Sequence, residues 1–79
     1  MHSNIAMKSL LKPIPEIDPI ILLKEPYNFK ESELASALGC SIHSVASWRY
    51  NRRQPQKSIR KLAAVVQKKL DKRLHKLNS

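Results

Sequence analysis

The chain predicts a small all-α domain of about four helices, with a central helix-turn-helix and a long basic C-terminal helix. Three observations carry this. Gly39 is the only glycine in 79 residues, and charged helix formers abound. Apolar residues of the last third recur at three- and four-residue spacings, the period of a helix. Residues 33–55, ELASALGCSIHSVASWRYNRRQP, pass from one amphipathic stretch through a Gly-led turn into a second, then into an arginine cluster.

Taken in order, residues 1–18 read as an arm. Pro13, Pro15 and Pro19 break any helix that would span it, and it lacks a periodic apolar face. Within it, residues 1–11 can form a short helix on Ile5, Met7, Leu10 and Leu11. Asp18 before Pro19 has the pattern of an N-cap with Pro at the first helical position. A short helix over 19–24 follows, ended by Pro26, whose ring disfavours helix at Glu25.

Residues 27–30 are a connector. Asn28, with Glu31 three residues on, offers a capping box to a helix over 31–38. Leu34, Ala35 and Leu38 share one face of that helix. Gly39 falls just past its end, where a positive φ costs glycine little. Ser41 can cap the next helix, 42–50, whose buried stripe is Val45 and Trp48, flanked by Ile42 or Ala46. Residues 51–56 form a loop punctuated by Pro55. The last helix, 57–77, carries Ile59, Leu62, Ala63, Val66, Leu70, Leu74 and Leu77 at helical spacing. At 1.5 Å per residue it is roughly 30 Å long, more than so small a body can cover. The organisation is an arm (1–18), a helix-turn-helix domain (19–66) and a basic helical extension (67–79).

Charge is distributed unevenly. Residues 1–47 hold four Lys against five acids, whereas residues 48–79 hold eleven Lys and Arg against Asp71 alone, and the whole chain is +9. A strongly basic half on a nearly neutral half points to a polyanion-binding face; the plainer alternative is a solubilising surface. Cys40 is the only cysteine, so no internal disulfide can form. No signal peptide is visible, and the apolar run over 20–23 is too short for a membrane span. These features place the chain in the cytoplasm, nucleoid-associated if it binds DNA.

A helix that enters the major groove must be short, held at a fixed angle and polar on its outer face. Val45 and Trp48 anchor helix 42–50 from behind, which leaves Ser41, His43, Ser44 and Ser47 outward and Ile42 at the leading edge. Ser and His can bond base edges or phosphates, and Ile42 can touch a thymine methyl. Ser41 also stands beside the free backbone N–H groups of a helix N-terminus, which suit a phosphate. Arg49, Arg52 and Arg53 follow as a candidate phosphate clamp, with Lys57 and Arg60 next along the chain.

The residues Leu34-Ala35, Leu38-Gly39, Ser41, Val45, Trp48, Arg53 and Pro55 resemble the lambda-repressor/Cro-like (Xre) helix-turn-helix family in order and spacing. The resemblance covers about residues 29–62. It implies a compact helical domain and sequence-specific binding of double-stranded DNA, often as a homodimer, with transcriptional repression as the usual role. It implies base contacts from Ile42, His43, Ser44 and Ser47, and backbone contacts from Ser41, Asn51, Arg52 and Arg53. The chain departs from the family at Asn51, where Gly is usual, and at Ile42, where a polar reader is common. Pro26 shortens the first helix. A single long final helix replaces two shorter ones, so the family's dimer interface is not carried over.

Other readings stay open. The fold can serve as an adaptor or antitoxin-like protein-interaction module, docking a partner through the arm or the Leu70–Leu74–Leu77 stripe. It can also bind nucleic acid without sequence preference, although the few aromatics look core-bound, which disfavours strand stacking. The extension is a dimerisation helix, a second contact to the DNA backbone, or a solvated end. Cys40 and His43 have metal-like spacing, but no second pair of ligands exists and a buried turn cysteine is the better reading. No acid/base pair, metal set or phosphate loop is recognisable, so an enzyme is the least expected class and no cofactor is implied.

Overall fold

A computed structural model describes residues 15–78, with side chains through 76. The helix considered for 1–11 therefore lies outside the described residues, as does the Leu77 side chain. The described residues form an all-α arrangement: a 3-10 helix over Pro19–Leu23, then α1 (Glu31–Leu38), α2 (Ile42–Arg49) and α3 (Lys57–Asn78).

The start of the domain follows the expected chemistry. Oδ1 of Asp18 accepts from the Ile20 amide at 3.1 Å, with Pro19 at the first helical position. The segment takes the tighter 3-10 form, in line with its short length. At α1 the expectation needs correction. Asn28 does not cap the helix: it lies in the left-handed region at φ 53. The Glu33 carboxylate instead accepts from the Lys30 amide at 2.9 Å. Lys30 has no side-chain acceptor to return, so only half of a capping box forms.

Both α1 and α2 end in the same motif. Gly39, at φ 67, donates to the Ser36 carbonyl at 3.3 Å, and Cys40 donates to Ala35 at 3.0 Å. Asn51, at φ 59, donates to Trp48 at 3.2 Å, and Arg52 donates to Ser47 at 2.8 Å. These are paired Schellman closures, with Asn accepting the left-handed position that Gly holds in the first.

Leu22, Leu34, Ala35, Leu38, Val45, Trp48 and Ala63 form the buried core. The first half of α3 leans on it through Ile59, Ala63 and Val66, and Leu70 continues the contact. Leu62 is an exception at 38% exposed, because the helical rotation carries it to the edge of the packed face. Since Leu70 is packed, the Leu70–Leu74–Leu77 stripe is not wholly unpartnered. Tyr27 also donates to Asp71 and accepts from Gln67, so α3 is fastened to the body beyond residue 66.

Candidate nucleic-acid interface

Helix α2 is held from behind by Val45, fully buried, and Trp48, 9% exposed. A rotation of about 100° per residue then puts His43, Ser47 and Tyr50 on the opposite side. His43 and Tyr50 are exposed, and Ser47 is half-buried. Ile42, 45% exposed, forms one flank. Ser44 lies on the other flank, half-buried beside Trp48. It lines a groove of about 540 Å³ with Cys40, Trp48, Arg53 and Ile59. The four residues read as base contacts are thus not equivalent: His43 and Ser47 project outward, while Ile42 and Ser44 border them.

Ser41 acts as the N-cap of α2. Its Oγ accepts from the Ser44 amide at 3.2 Å and lies 3.1 Å from the Ser44 hydroxyl. Both hydroxyls are engaged with each other before any ligand arrives. Ser32 and Ser36 of α1 are also exposed, but they sit on the helix that α2 packs against.

Tyr50 joins this face against expectation. At 61% exposed it departs from the reading of the aromatics as core-bound. The signal is present in the sequence: positions 43, 47 and 50 repeat at four and three residues, the spacing of one helical face. The guanidinium of Arg49 stands 5.5 Å from the Tyr50 ring centroid, and that of Arg52 stands 5.9 Å away. Both distances are within cation–π range. The Asn51 turn brings this about, since it folds the Arg52 amide back onto the end of α2.

The cations differ in their engagement. Arg49 Nη1 lies 3.3 Å from Oε1 of Glu31. Glu16 faces two of the expected backbone contacts, Lys57 at 3.9 Å and Arg60 at 3.3 Å. The Ile17 amide donates to the Arg60 carbonyl at 3.2 Å and holds the acid there. Glu31 Oε1 and Arg60 Nε make these ion pairs without a well-aligned hydrogen bond, so charge rather than direction joins them. Arg52, Arg53 and Asn51 are exposed.

Burial pushes the Cys40 thiol up from its ordinary pKa, which leaves it protonated near neutrality and a poor nucleophile. Among the described residues no three His, Cys, Asp or Glu side chains gather as a metal site, and no helix is long and apolar enough to cross a membrane. No family model, curated protein or solved structure matches the chain.

Proposed function

We propose that the protein is a sequence-specific double-stranded DNA-binding regulator, a repressor by its resemblance to lambda-repressor/Cro-like proteins, with no catalytic activity. One observation carries this reading. A short, back-anchored helix presents an outer face of hydrogen-bonding side chains, His43 and Ser47, and that face ends in exposed arginines. A major-groove reader needs side chains that bond base edges, while cations at the rim hold phosphates and fix the register. Helix α2 contains no acid that would repel the backbone.

In this role His43 and Ser47 read bases, with Ile42 and Ser44 at the borders of the contact. Arg52 and Arg53 neutralise phosphates. Arg49, Lys57 and Arg60 do so after leaving Glu31 and Glu16. Tyr50 lies within cation–π range of the Arg49 and Arg52 guanidiniums and limits where they can point.

The test is selection of bound duplexes from a randomised pool by the purified protein near physiological salt. Enrichment of an inverted repeat, with half-sites about 10 base pairs apart, is expected of a dimer. A single enriched half-site would keep the reader and remove the dimer. A pool with no enriched sequence would reject the regulator.

A further inference from the structure

The long helix α3 has a face that neither the core nor α2 uses. Ile59, Ala63, Val66 and Leu70 turn one side of it inward. At about 100° per residue, Lys68 and Lys72 fall on the opposite side, and Lys69 on its flank. All three are exposed. The helix has one acid, Asp71, and its carboxylate is taken by Tyr27 at 2.7 Å on the side joined to the body. Residues 1–14 contain no Asp or Glu; of the two acids of the arm, Glu16 faces Lys57 and Arg60, and Asp18 accepts from the Ile20 amide.

We propose that the outer lysine face of α3 is a second duplex-contact surface, which grips the phosphate backbone without regard to sequence. It acts in addition to α2 and does not depend on base reading there. Lysines one turn apart, about 6 Å along the axis, meet a polyanion that carries one charge per roughly 1.7 Å.

Charge and hydrophobicity select duplex over the other occupants. A helix that lies on a membrane inserts its apolar face, but the apolar face of α3 is packed on the core from Ile59 through Leu70. Among the described residues of α3, the exposed large apolar side chains are Leu62 and Val65, in its first half. A second copy of the chain would set lysines against lysines.

The experiment compares the wild type with a Lys68→Gln, Lys69→Gln, Lys72→Gln triple variant. Affinity for a random-sequence duplex is measured against salt concentration. The expected result is a log–log slope shallower by up to about 2.7, at about 0.9 for each phosphate that is no longer neutralised. Any sequence preference established by selection stays unchanged. An unaltered slope, with helix content intact by circular dichroism, overturns the proposal. So does a wild type that prefers phosphatidylserine vesicles to duplex and loses only vesicle binding in the variant. If the triple variant loses helix content, Lys68→Gln and Lys72→Gln singly should each flatten the slope by about 0.9, and two unchanged slopes overturn it. Failure of the selection experiment would leave this slope difference standing, so the two readings fail separately.

Discussion

The Tyr27 hydroxyl donates to Oδ1 of Asp71 at 2.7 Å, joining the connector before α1 to the second half of α3 across 44 positions. Gln67, one turn earlier on α3, donates to the same phenol oxygen at 3.1 Å. One tyrosine therefore fixes where the long helix leaves the body, and with it the placement of the outer lysines.

Removing that hydroxyl should loosen the helix locally. Tyr27→Phe is expected to cost about 1 kcal/mol. It should speed amide exchange over 67–78 more than in α1 or α2. The effect also carries a pH signature. The hydrogen bond to Asp71, then burial, raises the phenol pKa above its ordinary value. The neutral form is thus favoured in the fold, and its contribution is complete below the unfolded pKa, about 10. It is lost as pH rises through the higher folded value. Urea titrations should show a wild-type advantage over Phe that is constant from neutrality and shrinks in alkali. An advantage that grew with pH would contradict this assignment.

The core should tolerate little truncation. Leu34 is fully buried among Leu22, Val45 and their neighbours. Leu34→Ala is expected to cost roughly 2–5 kcal/mol. A domain of this size has about 4–12 kcal/mol in total, so the variant should be partly unfolded at physiological temperature. Val65→Ala, at a site 45% exposed, serves as the contrast. Its expected change is within about 0.5 kcal/mol. Thermal unfolding of the pair by circular dichroism decides it.

The two left-handed turns should respond in opposite directions. A Cβ at Gly39 would meet nothing within 4 Å, so the cost of Gly39→Ala is the left-handed backbone strain at φ 67 alone. The expected cost is about 1–2 kcal/mol. Asn51→Gly relieves the same kind of strain at φ 59 and should be neutral or stabilising by a few tenths of a kcal/mol. Equal losses at both positions would mean that the Asn51 side chain has a role beyond its backbone.

Much of the fold is legible in the sequence because it is local. Gly39, Ser41 and the Val45–Trp48 pair declare themselves through spacing of three or four residues, and the structure puts each where that spacing implies. The failures at α1 and the interface have other causes. Asn28 matches a capping pattern, but its left-handed backbone after Pro26 puts the true cap two residues later. The pairs Glu31–Arg49, Glu16–Arg60 and Tyr27–Asp71 join residues 18 to 44 apart, and no periodicity encodes such partners. Tyr50 escapes any reading that assigns every aromatic to the core.

Base reading should appear as altered preference rather than uniform loss. His43→Ala and Ser47→Ala are expected to weaken the best duplex by about 1–3 kcal/mol, and random duplex far less. Tyr50→Ala should instead weaken all duplexes alike, since it lies against the phosphate-binding Arg49 and Arg52. Parallel selections with each variant would separate these patterns. A uniform loss for His43→Ala would remove it from the reading face.

Glu16 provides the most direct check on the phosphate contacts, because it occupies two cations at once. It lies 3.9 Å from Lys57 and 3.3 Å from Arg60, and all three side chains are partly exposed. Such pairs add little to folding, so Glu16→Gln should change stability by less than about 1 kcal/mol. In duplex binding the consequence is larger. A carboxylate that must be displaced weakens association and hides two counterion-release events. Its neutralisation should raise affinity and steepen the log–log salt slope by up to about 1.8. Arg53→Ala, at an exposed cation, should flatten the slope by about 0.9. If Glu16→Gln left both affinity and slope unchanged, Lys57 and Arg60 would be structural partners of the Pro15–Asp18 segment, and phosphate binding would fall to Arg52, Arg53 and the lysines of α3.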